Sequence, residues 1–160
     1  MSLRKHGVFN NEWQQRHRKL IFDKITTYHH HRVMKKQLNA VHEFHTTFKL
    51  GVQSNPVANI TERRNVLRYE LMKEENEEYL EAAQNDDLVE VADALGDMLY
   101  ILCGTIIEHG MQDVIEKVFD EIQRSNMSKL GVDGKPIYRE DGKVLKGPNY
   151  FKPDFAKIIK

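Results

Sequence analysis

The residues that could do chemistry in this sequence are concentrated between positions 70 and 97, where eleven acids accompany a single base, Lys73. The acids are Glu70, Glu74, Glu75, Glu77, Glu78, Glu81, Asp86, Asp87, Glu90, Asp93 and Asp97. A carboxylate taken out of water alone costs several kcal/mol, so a group of them is tolerated only if it is protonated, paired with bases or bound to cations. Since one lysine cannot neutralise the group, the composition of this segment favours a divalent-metal site.

The spacing of the acids predicts that two helices position them. From Thr61 to about Gln84, one face repeats at steps of three and four residues: Leu67, Leu71, Glu75, Glu78 and Ala82. From about Leu88 to His109 the same pattern recurs: Glu90, Asp93, Asp97, Ile101 and Gly104. Acids therefore interrupt stripes that Leu, Ala and Ile continue, where a protein core is expected.

The link between these helices, residues 84–87, is polar and contains Asn and Asp, which cap helices well. We therefore expect an antiparallel helical hairpin. If its turn is centred near residues 84 and 85, the facing pairs are Glu78 with Glu90, Glu75 with Asp93, and Leu71 with Asp97. At an interaxial distance of about 8–10 Å, carboxylates from both helices could share cations.

Oxygen ligands without clustered Cys or His select hard cations, Mg²⁺ first and Mn²⁺ next. The predicted metal ligands are Glu75, Glu78, Glu90 and Asp93, and the spacing leaves the role of Asp97 open. Glu74 lies at the edge of its stripe and is a candidate ligand, an acceptor behind the ligands or a surface residue. A solvated helical face, which is what most charge runs are, fits the remaining acids.

Composition narrows the class of protein. With 160 residues, 40% of them hydrophobic, the chain suits one domain, and it has no apolar run long enough to cross a membrane. The absence of an apolar leader and the single Cys103 predict a soluble, cytoplasmic protein. Outside the acidic segment there are 23 bases and 13 acids. A basic remainder around an acidic centre favours an anionic, phosphate-bearing ligand over nucleic acid.

Three regions are predicted along the chain. Residues 1–32 form a basic extension with five of the eight histidines, including His29 to His31, and no function can be assigned to it. Residues 33–124 form the helical core, with further helices over 33–50, ended by Gly51, and over 111–124. Residues 125–160 form an irregular basic tail with a small hairpin near 137–144.

The expected architecture is all-α, a four-helix-type bundle built around the acidic hairpin. Its central helices expose apolar faces that short partners cannot cover, so a homodimer or homotetramer is expected. The candidate contact stripe is Leu95, Met98, Leu99, Leu102 and Ile106. His45, on an apolar helix face, is expected to be a hydrogen-bonded core histidine, and Cys103 a buried hydrophobe.

These motifs resemble a known superfamily, the all-α nucleoside triphosphate pyrophosphohydrolases of the MazG-like and phosphoribosyl-ATP pyrophosphohydrolase-like type. The resemblance spans residues 35 to 155, and the similar segments are Glu74-Glu75-x-x-Glu78, Glu90-x-x-Asp93, Asp97-Met98-Leu99-Tyr100, Val41-x-Glu43-Phe44-His45-x-x-Phe48, Ser125-Asn126-Met127-Ser128-Lys129 and Gly134-Lys135-Pro136. The segments after the acids are similar to the phosphoribosyl-ATP pyrophosphohydrolase-like branch.

The resemblance implies an oligomeric all-α enzyme in which Mg²⁺ directs a water onto a nucleoside triphosphate or a phosphoribosyl-ATP-like nucleotide. The products would be the monophosphate and pyrophosphate. It implies Glu75, Glu78, Glu90 and Asp93 as metal ligands, with Asp97 added, and Glu74 as a further ligand or the group that orients the water. Candidate phosphate-binding residues on the tail are Asn126, Lys129, Lys143 and Lys146.

Other classes fit less well. A ferritin-like di-iron bundle needs Glu-x-x-His repeats, which the hairpin lacks. A nucleic-acid binder would need stacking aromatics interleaved with bases. The alternative that stays open is a non-catalytic nucleotide- or metal-binding regulator of the same fold.

Overall fold

The computed structural model describes residues 34–160, and these residues are helical wherever they are regular. The four helices are α1 (Lys35–Thr47), α2 (Glu62–Gln84), α3 (Leu88–Glu108) and α4 (Ile115–Met127). Within this range the only β-type pairing is an isolated antiparallel bridge between Tyr138 and Val144. The predicted all-α class is therefore confirmed. The predictions for the 1–32 extension and for His29 to His31 lie outside the described residues.

Helices α2 and α3 form the expected antiparallel hairpin, and the polar residues at its ends cap it. The Thr61 hydroxyl accepts the Arg64 amide at 3.2 Å at the start of α2. The Asp87 carboxylate accepts the amides of Val89 and Glu90 at 3.0 and 3.2 Å at the start of α3. Between the helices, Asp86 adopts the left-handed conformation with φ of 57°. A three-residue link therefore reverses the chain.

The end of α1 differs from its prediction. The helix stops at Thr47 and not at Gly51, and Lys49 takes the left-handed position with φ of 58°. The Leu50 amide donates to the His45 carbonyl at 2.8 Å and the Lys49 amide to the Thr46 carbonyl at 3.3 Å. This pair of hydrogen bonds is the Schellman ending, which usually places a glycine where Lys49 stands. The assignment of the helix end to the nearest glycine was therefore wrong.

The apolar core lies between α1 and the C-terminal half of α3. It consists of the buried residues Leu38, Val41, Cys103, Ile106 and Ile107. Met34, Met111 and Ile115 pack against it, so the start of α4 also reaches the core. Cys103 is fully buried, as expected for a small hydrophobe. The acidic half of α3 thus extends away from the core, toward the turn of the hairpin.

The loop from Gly51 to Thr61 is attached to the end of α3. The Gln53 amide donates to the Ile107 carbonyl at 3.2 Å, and the Val57 amide donates to the His109 carbonyl at 3.0 Å. Gly110 ends α3 as predicted, with φ of 67°, and a Cβ there would lie 2.1 Å from the Asn55 carbonyl oxygen. Only glycine fits this close approach, which fixes the loop against the core.

The last helix and the tail form a separate group of contacts. Helix α4 runs from Ile115 to Met127, later at both ends than the predicted 111–124, so the predicted boundary at residue 124 falls inside it. The Ser125 hydroxyl donates to the Phe151 carbonyl at 2.8 Å, which ties the tail back to α4. The hairpin predicted near 137–144 is present: the Leu145 amide donates to the Ile137 carbonyl at 2.7 Å.

Over residues 34–160, none of the helices combines the length and the apolar character that crossing a bilayer requires.

Candidate active site

Glu75 is the central residue of the acidic hairpin. It lies midway along α2, and its Oε2 atom is shielded from solvent and has no hydrogen-bond partner among residues 34–160. Desolvation raises the pKa of Glu75 above its ordinary value, and so do the negative charges of Glu78, Asp97, Glu74 and Asp93. Two of these neighbours come from its own helix and two, Asp93 and Asp97, from α3. The two acidic stripes therefore do face one another.

The pairs of residues that face each other across the hairpin differ from the predicted pairs. Helix α2 ends at Gln84 and α3 begins at Leu88, so the turn is centred at Asp86, one to two residues later than expected. Glu75 and Asp97 are each eleven residues from Asp86, so they come level across the hairpin, whereas the prediction set Asp97 level with Leu71. The later turn centre displaces every facing position toward the C-terminus of α3.

A cleft of about 340 Å³ lies at the turn end of the hairpin. Its lining residues are Glu78, Glu81, Ala82, Asn85, Asp87, Glu90 and Asp93. It contains three of the predicted ligands. Glu81 and Asp87, which the sequence pattern assigned to the solvated face, also line it. Asp87 has a structural role as the cap of α3, since its carboxylate accepts two backbone amides.

The acids are close but not assembled into a closed coordination sphere. Among residues 34–160, no group of three or more His, Cys, Asp or Glu side chains has the spacing that would hold a metal ion. Carboxylates without a counter-ion repel each other and turn toward water, so this spread is expected of the protein alone. The partnerless oxygen of Glu75, surrounded by four acids, fits a divalent cation and the oxygen ligands that Mg²⁺ and Mn²⁺ prefer.

A buried ionic cluster that the sequence interpretation missed lies at the other end of the hairpin. Glu108, only 1% exposed, accepts two hydrogen bonds from Arg64, of which the Nε to Oε2 bond measures 2.8 Å. Arg68 Nη1 lies 3.4 Å from Glu108 Oε1. Arg68 Nε also donates to the Thr105 hydroxyl at 2.9 Å, and Nη2 donates to the Ile101 carbonyl at 2.6 Å.

Sequence periodicity contained a signal for this cluster. Arg64 and Arg68 continue the α2 stripe backward from Leu71, and Glu108 continues the α3 stripe beyond Gly104, all at steps of three or four residues. The prediction placed Leu67 on the inner face, but Leu67 is 40% exposed whereas Arg68 is 7% exposed. The arginine turns inward because Glu108 offers it a buried anionic partner.

Three of the candidate phosphate-binding residues, Lys129, Lys143 and Lys146, lie on the C-terminal tail, and Asn126 lies in the last turn of α4. The backbone of the tail returns to Lys129, because the Gly147 amide donates to the Lys129 carbonyl at 2.9 Å. The Lys146 ammonium lies 4.4 Å from the centre of the Tyr150 ring, and Lys143 and Asn126 are exposed. Within residues 34–160, no ion pair joins these lysines to the acids of the hairpin. Their role in substrate binding stays a prediction.

His45 behaves as a core histidine. It is 2% exposed, and its Nδ1 lies 2.9 Å from the Gly51 carbonyl oxygen. The neighbouring Phe44 contacts Tyr100 of α3 edge to face, with ring centres 5.7 Å apart. These contacts fix α1 against α3 and give His45 a structural role.

The described residues form an all-α fold whose central hairpin carries two facing acidic stripes. The model of the phosphoribosyl-ATP pyrophosphohydrolase family matches residues 41–126, a little more than half of the chain and all of the acidic hairpin. The protein belongs to this family. It is a nucleotide pyrophosphohydrolase, a hydrolase that acts on phosphoanhydride bonds.

A solved structure from Exiguobacterium sp. 255-15, for which NTP pyrophosphohydrolase activity is proposed, is 27% identical in sequence and covers 73% of this chain and 88% of its own. Its TM-score is 0.39, so the family assignment rests on the sequence match and not on superposition. No curated protein matches the chain.

Proposed function

We propose that the protein hydrolyses a nucleoside triphosphate or a phosphoribosyl-ATP-like nucleotide at the α–β phosphoanhydride, in a reaction that depends on Mg²⁺ held by the hairpin acids. The products are the nucleoside monophosphate and pyrophosphate. The observation on which this depends is the carboxylate of Glu75, whose shielded oxygen has no partner and whose neighbours are four further acids. Family membership supports the reaction class.

The proposed ligands are Glu75, Glu78, Glu90, Asp93 and Asp97. The first two belong to α2 and the other three to α3, so a cation between the helices would draw on both. All five offer oxygen only, which favours Mg²⁺ and then Mn²⁺ over softer metals. Bound Mg²⁺ would supply neutralisation of the triphosphate charge and acidification of a water.

The remaining task of the protein is to position the water and the leaving group. A phosphoanhydride is a good electrophile already, so no protein nucleophile is needed, and orientation with charge stabilisation supplies most of the rate. Glu74 is exposed next to Glu75, where its carboxylate can accept a proton from the attacking water. Glu74 and Glu75 are therefore the proposed catalytic pair.

The basic tail is proposed to bind the phosphates. The hydrogen bond from the Gly147 amide to the Lys129 carbonyl brings the backbone beside Lys146 to Lys129, and the positive charges of both lysines would attract a triphosphate. Lys143 on the tail and Asn126 in the last turn of α4 are exposed and add a further charge and an amide. Since nucleotides are metabolites of the cytoplasm, a cytoplasmic location is part of this proposal.

The test is a screen for pyrophosphate release with Mg²⁺ over ribonucleoside and deoxyribonucleoside triphosphates and phosphoribosyl-ATP. A Glu78→Gln variant is expected to lose roughly 100-fold or more in kcat on any accepted substrate. The matched control is Glu77→Gln, because Glu77 is an exposed neighbour whose only ion pair is with Lys73 at 3.8 Å. Absence of release from every substrate, or equal rates in both variants, would contradict the proposal.

The regulatory alternative is separated from the enzyme by the same experiment. A nucleotide sensor of this fold would bind Mg²⁺ and a triphosphate, measured by calorimetry, yet release no pyrophosphate from any of the substrates. Its affinity for Mg²⁺ and for the triphosphate would also be unchanged by Glu74→Gln. Loss of turnover with retained binding in Glu74→Gln would support the catalytic assignment.

A homodimer or homotetramer is also proposed, because α3 leaves apolar side chains uncovered. Leu95, Leu99 and Leu102 are 50%, 44% and 44% exposed along one side of the helix, and Leu88 at its start is 80% exposed. Contiguous exposed apolar surface of this kind marks a subunit contact in proteins that stay in solution. Light scattering should give a mass of two or four chains, and Leu99→Glu should lower it; a monomeric parent protein would contradict this.

A further inference from the structure

The two ends of the acidic hairpin are held in different ways. At the turn, the three residues between Gln84 and Leu88 connect the helices covalently. At the open end, the loop before α2 is hydrogen-bonded to the end of α3, and the side chains that join the two helices directly are those of Arg64, Arg68 and Glu108. The acids that face each other lie between these two attachments.

Helix α2 has little apolar surface with which to hold α3. Its only buried residues are Arg68 and Ala82. These two are spaced by seven residues on either side of Glu75, so each is about 10 Å along the helix from the central acid. The largest buried side chain of α2 is therefore a charged one, and its partners on α3 are polar.

The Arg68 side chain makes three polar contacts with α3. Its guanidinium bonds to the Ile101 carbonyl, to the Thr105 hydroxyl and to Glu108, which span two turns of that helix. A planar group that bonds to partners at three levels along the neighbouring helix fixes both the distance between the two helices and the rotation of one about the other. Arg64 adds a bidentate pair with Glu108 at the outer edge.

Stability alone does not explain a buried ionic cluster. Arg68 and Glu108 lose their hydration on burial and half-buried Arg64 loses part of it, and well-packed hydrophobic residues of similar volume are often as stable or more so. Between Glu75 and the α3 residues Asp93 and Asp97, in contrast, like charges push the helices apart. An attractive contact about 10 Å away on the same face opposes this force at the end that the turn does not constrain.

We propose that Arg64, Arg68 and Glu108 form a clamp that keeps the open end of the hairpin closed against the repulsion of its own carboxylates, and so positions the metal ligands before a cation binds. The clamp residues are positioning residues and make no contact with the reacting atoms. The proposal rests on the proposed function, since it assumes that the facing acids bind cations.

The experiment measures the separation of the helices by electron spin resonance between nitroxide labels at Glu77→Cys and Ala92→Cys, both exposed positions, in a Cys103→Ala background. Labelled protein is diluted with unlabelled protein to remove distances between subunits. In metal-free protein, Arg68→Met is expected to give a longer and broader distance distribution than the parent. Saturating Mg²⁺ should restore the parent distance, with a Mg²⁺ affinity lowered roughly tenfold.

A charge rescue separates positioning from general damage. Adding Glu75→Gln to Arg68→Met removes part of the repulsion, so the metal-free distance should return toward the parent value, which a merely misfolded variant would not do. Arg68→Lys, which keeps the charge but loses the planar fork, should show a smaller opening and covers the case in which Arg68→Met fails to fold. Arg124→Met is the matched control, because it removes an exposed bidentate pair with Glu121.

The outcomes distinguish the clamp from the metal site. Equal distance distributions for the parent, Arg68→Met and Arg68→Lys in metal-free protein would overturn the clamp, whatever the metal does. If the helices of the Arg68 variants separate but the parent protein takes up no Mg²⁺, the clamp proposal is supported and the proposed function is contradicted. Opening in Arg124→Met of the same size as in Arg68→Met would also overturn the clamp.

Discussion

Replacing Glu75 by Gln should make the metal-free protein more stable while it abolishes turnover. In the folded protein the Glu75 carboxylate has a shielded oxygen without a partner and four acidic neighbours. A like-charge pair three or four residues apart on a helix costs roughly 0.2–0.5 kcal/mol, and taking the pair with Glu78 and the two pairs across the hairpin with Asp93 and Asp97 as comparable, their removal should raise the free energy of unfolding by about 1 kcal/mol. For a folded unit of this size the midpoint of thermal unfolding should rise by roughly 2–5 °C.

Mg²⁺ should reverse the order of stability. At a concentration of about 100 times Kd, a ligand that binds only the folded state stabilises it by about 2.7 kcal/mol. If the loss of one carboxylate weakens binding about 100-fold, the variant gains only about 0.4 kcal/mol from the same Mg²⁺ concentration. The parent should then be the more stable protein by about 1 kcal/mol.

The effect also has a defined pH dependence. Because the pKa of Glu75 is raised in the folded protein, the folded state holds this proton more tightly than the unfolded state does. Stability of the metal-free parent should therefore fall as the pH rises from the ordinary value of 4.5 through the raised pKa. The advantage of Glu75→Gln should be present at neutral pH and vanish below about pH 4.5.

The assay is urea unfolding followed by circular dichroism, with EDTA or with Mg²⁺, at neutral and acidic pH. Glu77→Gln is the control, since the Glu77 side chain is 68% exposed and its change should stay within about 0.5 kcal/mol in all conditions. A metal-free Glu75→Gln protein less stable than the parent at neutral pH would refute the reasoning, because it would mean that the carboxylate has a stabilising partner.

Three further expectations follow from single residues. Gly110→Ala should lower the free energy of unfolding, measured in urea, by about 2–3 kcal/mol. The left-handed backbone at this position disfavours a side chain, and a Cβ there would lie 2.1 Å from the Asn55 carbonyl oxygen. An unchanged free energy of unfolding would contradict this close approach. Asp97→Asn should lower Mg²⁺ affinity roughly tenfold or more in calorimetry, whereas the exposed Glu70→Gln should not. Lys146→Ala should raise KM about fivefold with little change in kcat, and an unchanged KM would remove the lysine from the phosphate site.

The helices and the hairpin could be predicted from the sequence because their signals are local. Thr61 and Asp87 cap the two central helices as their types suggest, and Gly110 ends the second. The first helix was harder, because Lys49 occupies the left-handed position that usually belongs to glycine. The predicted end at Gly51 followed composition, whereas the hydrogen bonds of Leu50 and Lys49 determine the actual end.

The acidic half of the site was predictable and its register was not. Helical spacing is enough to show that Glu75 and Glu78 share a face with buried Ala82. Which residue of α3 faces Glu75 depends on where the link begins and ends, and one or two residues at the turn change the neighbour from Asp93 to Asp97. Helix boundaries are the least certain part of a periodicity argument, and here they decide the pairing.

The ionic cluster was missed because charge was interpreted as exposure. Arg64 and Arg68 follow the same spacing as the acids, so a prediction that extended the α2 stripe toward its N-terminus would have placed them inward. The stripe on α3 likewise continues to Glu108. A charged residue on the inner stripe of one helix, acidic or basic, can be predicted to face inward when the facing stripe of the other helix carries an opposite charge.

The order of charges along the hairpin has a physical reason. On one face of α2 the sequence passes from Arg68 at the open end to Glu75 and Glu78 toward the turn, and the facing side of α3 passes from Glu108 to Asp97. At the open end the charges attract, and toward the turn they repel. A covalent link can hold like charges together and an open end cannot, so the acids belong near the turn and the ion pairs far from it. With the two interchanged, the same residues would leave the carboxylates at the end where no direct covalent link between the helices opposes their separation.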